Sequence, residues 1–149
     1  MRHVLFVCTG NICRSPMAEF LLQEALDGED VDDVAVQSRG LMAQEGWTMP
    51  FEATEALKKL DILAGPHSAR QLSQEDVAEA DLILVMEEWH LKDLLAEYPE
   101  SKGKSHLLKE YAGAGGGGVA DPYGEPLATY RLLAGELRRM TTAVAKKLK

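Results

Sequence analysis

The 149-residue sequence lacks the features that mark several specialised protein classes. It contains only two cysteines, Cys8 and Cys13, whereas a disulfide scaffold needs more of them, spread along the chain. No apolar run approaches the length of a membrane span. Lys and Arg number 16 against 24 Asp and Glu, and the formal net charge of −8 disfavours nucleic-acid binding through a broad basic surface.

What is present is typical of an ordinary globular protein. Hydrophobic residues make up 46% and charged residues 27% of the chain, and 149 residues suffice for one well-buried core. We therefore expect a single domain over residues 1–149. The apolar run Val4-Leu5-Phe6-Val7 is too short for a signal-peptide core, so we interpret it as a buried strand. We expect a cytoplasmic protein with no membrane partner, present as a monomer or weak dimer.

Strand-like and helix-like segments alternate along the chain. This alternation is typical of right-handed βαβ units, so we predict a three-layer α/β fold with a four-stranded parallel sheet flanked by helices on both faces. The predicted strands are 4–8, 34–36, 81–86 and 105–108. The first predicted helix begins at Ser15-Pro16, with Ser15 as its N-cap and Pro16 as its first residue. The other predicted helices cover 50–60, follow Ser73, cover 87–98, and run from near Pro126 almost to Lys149. The apolar stripe of the last helix is Tyr130, Leu133, Leu137, Met140, Val144 and Leu148.

Two loops invite a functional interpretation. Ligands of parallel sheets bind beyond the carboxyl ends of the strands, which points to the segment that follows Val7. The stretch from Gly113 to Gly118 matches a G-x-G-x-x-G dinucleotide pattern, but Asp121-Pro122 follows it where a helix should open. We therefore interpret it as a flexible surface loop.

The loop from Cys8 to Ser15 reads Cys-Thr-Gly-Asn-Ile-Cys-Arg-Ser and joins the first predicted strand to the first helix. Gly10 and Asn11 tolerate the left-handed backbone that turns N–H groups inward around an anion. The helix that follows directs its free N–H groups toward the same space, and Arg14 can grip two phosphate oxygens. The loop therefore predicts phosphate binding, and it lacks the Gly-Lys-Ser/Thr ending of a Walker loop.

The same loop predicts a nucleophile. N–H donors and Arg14 stabilise Cys8 as a thiolate that can attack phosphorus, and Ser15 can donate its hydroxyl to the sulfur. No second cysteine or histidine pair has ligand spacing, so we expect neither a metal nor another cofactor. The leaving group needs a proton donor, and Asp121 in Asp-Pro-Tyr-Gly is the best candidate. On local sequence alone, an ordinary Asp-Pro turn is the better interpretation.

The segment from Val7 to Glu19, together with Asp121-Pro122-Tyr123, resembles the low-molecular-weight protein tyrosine phosphatase family. Further similar segments lie at 38–40, 67–71 and 81–87 and in the last helix, so the resemblance covers nearly the whole chain. It implies a four-stranded parallel sheet flanked by helices, as the alternation of segments also predicts. It implies a phosphorylated protein as substrate and inorganic phosphate as product.

Carried over by position, the resemblance implies that Cys8 is the nucleophile, Arg14 the transition-state clamp and Asp121 the general acid. Phosphate and substrate are expected to contact the loop at Thr9, Gly10, Asn11, Ile12, Cys13 and Ser15. A network that holds the loop is implied for Asn11, Ser15, Ser38 and His67. Trp47 and Tyr123 are implied as walls of the substrate cleft.

The substrate class depends on conflicting signals. Many relatives carry two adjacent tyrosines after Asp-Pro, whereas Gly124 follows Tyr123 here. The segments 108–111 and 121–124 look closer to a bacterial branch that includes protein arginine phosphatases. Those enzymes tend to carry threonine at the position of Ile12, and tyrosine phosphatases carry a larger apolar residue. Ile12 therefore favours phosphotyrosine, and phosphoarginine is the alternative.

Two further alternatives use the same loop. Arsenate reductases share it but usually relay a disulfide through later cysteines, and this chain has none after Cys13. A non-catalytic phosphate-binding module would need neither a thiolate nor an acid. Cys13 itself is either a buried filler or the partner of Cys8 in a reversible disulfide, and the sequence leaves both interpretations open.

Overall fold

The computed structural model describes all 149 residues. The strands are β1 (Arg2–Cys8), β2 (Val34–Gly40), β3 (Leu82–Val85) and β4 (Ser105–Leu107). The helices are α1 (Arg14–Gly28), α2 (Phe51–Lys59), α3 (Gln74–Glu79), α4 (Glu88–Glu97), α5 (Leu108–Tyr111) and α6 (Leu127–Leu148). No helix combines the length and hydropathy that a bilayer-spanning segment needs.

The four strands form one parallel sheet in the order β2-β1-β3-β4. The register pairs Cys8 with Gly40 of β2, and Val7 with Val85 of β3. All four strands therefore end at the same edge of the sheet. The segments that follow β2 and β3 lie on either side of the loop that follows β1, which is the arrangement that builds a site from distant parts of the chain.

Helices cover both faces of the sheet. Successive side chains of β1 point to opposite faces of the sheet, as in any strand. Val4, Phe6 and Cys8 lie on one face, and Leu5 and Val7 lie on the other. The larger core lies on the first face, where α1, α2, α5 and α6 pack. The smaller core lies on the second face, beneath α3 and α4. The predicted three-layer α/β fold is thus confirmed.

The predicted elements and the observed ones differ mainly at their ends. The apolar stripe of α6 is buried at every predicted position from Tyr130 to Leu148. Helix α3 follows Ser73 as predicted, and Ser73 caps it, because its hydroxyl accepts a hydrogen bond from the backbone N–H of Asp76. The prediction that Ser15 caps α1 is wrong: the helix begins at Arg14, and the Ser15 hydroxyl bonds inside the loop instead. The four-residue α5 was not predicted, since it is too short to show helical periodicity.

Candidate active site

The loop between β1 and α1 curls at a single residue in the left-handed region, Asn11, whose φ is 58°. Gly10 was expected to share this conformation, but its φ is not positive. A single left-handed residue is enough to turn the loop here, and space remains beside Gly10, where an added Cβ would meet only Ile12 at 3.8 Å. The strain of a left-handed non-glycine residue therefore concentrates at Asn11.

Four hydrogen bonds hold Asn11, which is fully buried. Its side-chain Nδ2 donates to the hydroxyls of Ser15 and Ser38 at 2.9 and 3.0 Å. Its Oδ1 accepts from the backbone N–H of Arg70 at 2.9 Å, and its backbone oxygen accepts from Nε2 of His67 at 2.6 Å. The structure therefore brings Asn11, Ser15, Ser38 and His67 together, as the resemblance implied.

The network ends at the sulfur of Cys8. Ser15 Oγ lies 2.9 Å from Cys8 Sγ. The Ser15 oxygen also accepts a hydrogen bond from Asn11, and the backbone oxygen of Arg39 lies 3.5 Å away as a weaker alternative acceptor for the Ser15 hydrogen. Cys8 is only 2% exposed, and the Ser15 hydroxyl is the side-chain group that contacts its sulfur.

The other end of the network is Glu19, which we did not predict as a site residue. Ser38 Oγ donates to Glu19 Oε1 at 2.7 Å and accepts from Asn11. The carboxylate therefore fixes the direction of the Ser38 hydroxyl, which in turn sets the orientation of the Asn11 amide. Glu19 lies one helical turn after Ser15 on α1, so its side chain projects from the same part of the helix.

Arg14 is anchored on one side of its guanidinium. Nη1 donates to Oε2 of Glu87 at 2.5 Å and to the backbone oxygen of Val119 at 2.8 Å. Nη2 donates to the hydroxyl of Thr9 at 3.2 Å. Nε and the second hydrogen of Nη2 have no protein acceptor, and together they form the edge of the group that suits a bidentate grip on an oxyanion.

Thr9 links Arg14 to α4. The Thr9 hydroxyl lies 2.9 Å from Nε2 of His90, a fully buried residue in the first turn of that helix. Nδ1 of His90 accepts a hydrogen bond from the backbone N–H of Glu87 at 2.9 Å and so caps α4. Burial and the nearby charge of Arg14 lower the pKa of His90 to about 4, so the imidazole is neutral at physiological pH.

A cavity of about 150 Å³ opens above the loop. Asp121 lies on its rim, with its side chain half exposed and Oδ2 at 3.8 Å from Nη2 of Arg14. The Asp121 carboxylate also accepts a hydrogen bond from the backbone N–H of Tyr123 at 3.1 Å, which orients it within the Asp-Pro turn. The residues that line the cavity are Cys8, Thr9, Gly10, Ile12, Cys13, Arg14, Asp121 and Tyr123.

A second cavity adjoins the first and shares two of its walls, Ile12 and Tyr123. Trp47 lines this second cavity and does not reach the first one. Trp47 and Tyr123 are both more than half exposed. They are placed to contact parts of a ligand that extend beyond a group bound in the loop.

Cys13 lies beneath the loop, and its sulfur is 3.5 Å from the hydroxyl of Tyr130 on α6. Burial raises the pKa of Cys13 to about 12, so the group is a neutral thiol at physiological pH. Both cysteines are free. The two buried thiols of the site thus differ in their partners, because the sulfur of Cys8 contacts Ser15 and that of Cys13 contacts Tyr130.

Gly40 approaches the loop closely, which the sequence did not predict. A Cβ on this residue would lie 2.7 Å from the backbone oxygen of Thr9 and 3.1 Å from Asn11 Cβ. The following two residues, Leu41 and Met42, donate backbone hydrogen bonds to the oxygens of Cys8 and Thr9 at 3.0 and 2.9 Å. The end of β2 therefore supports the loop through its backbone, and only glycine fits at this approach.

Four residues of the site were not predicted: Glu19, Gly40, Glu87 and His90. The positions of Gly40 and Glu87 in the sequence could have identified them as site residues. Each lies at or just beyond the carboxyl end of a strand, and the rule that identified Cys8 applies equally to them. The glycine stretch was predicted to be a surface loop, and residues 113–118 are indeed exposed and irregular. At its end, a Cβ added to Gly118 would lie 3.0 Å from the backbone oxygen of Met86.

Comparisons with known proteins agree with this geometry. The chain matches the family described as "Low molecular weight phosphotyrosine protein phosphatase" over residues 3–149. It is 39% identical over 146 residues to a protein-arginine-phosphatase of Geobacillus stearothermophilus, covering 97% of this chain and 95% of that protein. It is 39% identical over 128 residues to the low molecular weight protein-tyrosine-phosphatase PtpB of Staphylococcus haemolyticus, covering 86% of each.

A solved structure extends the similarity to three dimensions. The low molecular weight protein tyrosine phosphatase from T. tengcongensis superimposes with a TM-score of 0.93 at 40% identity, covering 99% of both chains. The resemblance identified from the loop and the Asp-Pro turn is thus confirmed over the full length. The chain belongs to the low molecular weight phosphotyrosine protein phosphatase family and is a hydrolase of that family.

Proposed function

We propose that this protein removes phosphate from phosphotyrosine in proteins, through a phospho-cysteine intermediate. The observation that carries the proposal is the convergence of Cys8, Arg14 and Asp121 on one cavity of about 150 Å³. A binding module would need the anion-holding loop but not a buried sulfur facing a hydroxyl donor.

In the first step, the thiolate of Cys8 attacks phosphorus and the bond between phosphorus and the leaving-group oxygen breaks. Asp121, on the rim of the cavity, donates its proton to that oxygen, so the alcohol leaves neutral. The charge on the three other phosphoryl oxygens is stabilised by the N–H groups of the loop and by Arg14. Arg14 offers Nε and Nη2 because its Nη1 is already occupied by Glu87 and Val119.

In the second step, water attacks the phospho-cysteine and Asp121 accepts its proton. The bond between sulfur and phosphorus breaks, inorganic phosphate is released, and Cys8 returns to a thiolate. The Ser15 hydroxyl, 2.9 Å from the sulfur, stabilises the departing anion. Ser38, His67 and Asn11 support this chemistry indirectly, because they hold the loop in its curled form.

The choice of phosphotyrosine depends on Ile12. Its side chain forms a wall of the catalytic cavity together with Tyr123, at the place that the group beyond the phosphate must occupy. A phenyl ring is apolar and packs well against this wall. The guanidino group of phosphoarginine carries N–H donors that lose hydrogen bonds against hydrocarbon, at a cost of roughly 1–3 kcal/mol for each unpaired group.

Phosphoarginine is the second candidate substrate, because a relative at 39% identity is a protein-arginine-phosphatase and covers nearly all of this chain. Identity does not separate the two classes, since relatives named for tyrosine match at 39% and 40%. The distinction therefore depends on the side chains that line the cavity rather than on overall similarity.

The experiment compares kcat/KM for one peptide sequence carrying either phosphotyrosine or phosphoarginine. The wild type is expected to prefer phosphotyrosine, and Ile12→Thr to shift the ratio about tenfold toward phosphoarginine. Ile12→Val is the matched control, because valine has the shape of threonine without the hydroxyl, and it should keep the wild-type preference. Faster hydrolysis of phosphoarginine by the wild type would refute the assignment from Ile12 and support the second candidate.

A further inference from the structure

His90 is connected to the proposed chemistry by an unbroken chain of hydrogen bonds, although it does not line the catalytic cavity. It lies in the first turn of α4, 81 residues beyond Thr9 in sequence, and it is fully buried. Its two ring nitrogens contact different partners. Nδ1 faces the backbone N–H of Glu87, and Nε2 faces the hydroxyl of Thr9.

The position of the ring hydrogen follows from these partners. A backbone N–H can only donate, so Nδ1 of His90 must be the acceptor of the bond from Glu87 and carries no hydrogen. A neutral imidazole then has its hydrogen on Nε2. Nε2 therefore donates to Thr9 Oγ1 over 2.9 Å.

The Thr9 oxygen accepts a second hydrogen bond, from Nη2 of Arg14 at 3.2 Å. A hydroxyl oxygen has two lone pairs, and both are now used. Its single hydrogen is then left without a protein partner at the wall of the catalytic cavity. Nη2 of Arg14 is also one of the two nitrogens that remain available to grip an oxyanion.

We propose that His90 is a positioning residue that acts through Thr9: it holds the hydroxyl so that Arg14 Nη2 is anchored and the Thr9 hydrogen binds a phosphoryl oxygen. The proposal rests on the proposed phosphatase function. The competing explanation is that His90 only caps α4, through its contact with Glu87.

Two substitutions separate the two contacts of His90. In His90→Asn the side-chain oxygen replaces Nδ1 and keeps the cap, but the side chain is too short to reach Thr9. In His90→Gln the side-chain nitrogen replaces Nε2 and keeps the donor to Thr9. Each variant is made in the wild type and in Thr9→Val, which has no hydroxyl for His90 to act on.

Two quantities are measured: the kcat and KM for an aryl phosphate, and the affinity for inorganic phosphate by calorimetry. His90→Asn should lower kcat/KM and phosphate affinity about tenfold, and His90→Gln should stay within about threefold of the wild type. In the Thr9→Val background, His90→Asn should have no further effect. Leu94→Ala, a buried change on the same helix, is the control for destabilisation alone and should lower Tm without changing phosphate affinity.

Equal losses from His90→Asn with and without the Thr9 hydroxyl would overturn the proposal, as would a change in Tm with unchanged phosphate affinity. Failure of the proposed function is a separate result, namely a wild type that binds phosphate but does not turn over aryl phosphate. The calorimetric comparison still decides the role of His90 in that case.

Discussion

Gly40→Ala tests whether the end of β2 sets the shape of the phosphate loop. The added Cβ would lie 2.7 Å from the Thr9 backbone oxygen, whereas ordinary contact begins at 3.4 Å, so the two must separate by about 0.7 Å. The strand cannot simply retreat, because Gly40 N donates to Arg70 and Gly40 O accepts from Leu72, both at 2.9 Å. We therefore expect the loop to move.

A displacement of about 1 Å in an active site can cost about 100-fold in rate, so kcat/KM should fall roughly 10- to 100-fold in Gly40→Ala. Overpacking should also cost about 1–3 kcal/mol in the free energy of unfolding. Steady-state kinetics with an aryl phosphate and urea denaturation measure the two effects.

Gly135→Ala is the matched control for this substitution. Gly135 lies within α6, and the nearest atom to its added Cβ is Arg139 Nη1 at 3.8 Å. This variant should leave kcat/KM unchanged and gain about 0.5–1 kcal/mol, because alanine is the better helix former. If Gly40→Ala retained kcat/KM within twofold of the wild type, the support assigned to β2 would be refuted.

Four further predictions concern individual groups of the site. Cys8→Ser should abolish turnover while calorimetry still detects phosphate binding, and residual turnover would contradict a phospho-cysteine. Asp121→Asn should lower kcat about 10²- to 10⁴-fold for aryl phosphates whose leaving phenol has a high pKa, and much less for p-nitrophenyl phosphate. An equal loss for both would indicate a structural role. Burial and the charge of Arg14 lower the pKa of His90 from 6.5 to about 4. The stability that depends on neutral His90 is therefore fully present above pH 6.5, and the free energy of unfolding should fall by about 3 kcal/mol as the pH drops from 6.5 toward 4. Urea denaturation should therefore show a steeper acid loss in the wild type than in His90→Gln, and equal slopes would refute this. After peroxide oxidises Cys8, the thiolate of Cys13 can close a disulfide with it, and because the pKa of Cys13 is about 12 the rate of closure should rise about tenfold per pH unit. Cys13→Ser should then remove the recovery of activity by reductant.

Local sequence predicted the parts of the site that lie close together along the chain. The Cys8–Ser15 loop follows a short apolar strand and precedes a helix, so its position at the sheet edge followed from a general rule. The strands and the long helix α6 were predicted for a similar reason, because their patterns of period 2 and 3.6 extend over enough residues to be read. Asp121 was singled out by the family resemblance rather than by local sequence, and the fold places it on one cavity with Cys8 and Arg14.

The supporting groups were harder to predict because their contacts join distant segments. Glu87 and His90 reach the loop only because β3 pairs directly with β1, and a sheet order of β2-β1-β3-β4 cannot be read from any local pattern. Of the two roles predicted for Ser15, the hydrogen bond to Cys8 is present and the helix cap is not. Ser-Pro is a common helix start, but here the hydroxyl forms stronger contacts inside the loop, with Asn11 and Cys8.

The pairing of Arg14 with Glu87 bears on how the site distinguishes a reacting phosphoryl group from free phosphate. The guanidinium is 2% exposed and its charge is balanced at 2.5 Å by a carboxylate, within a chain of net charge −8. The pocket therefore attracts a dianion through the alignment of hydrogen-bond donors and little through excess positive charge. Such alignment favours the spread-out oxygens of a reacting phosphoryl group over the compact tetrahedron of free phosphate. We therefore expect inorganic phosphate, although it binds the loop, to be held less tightly than the phosphoryl group in the transition state.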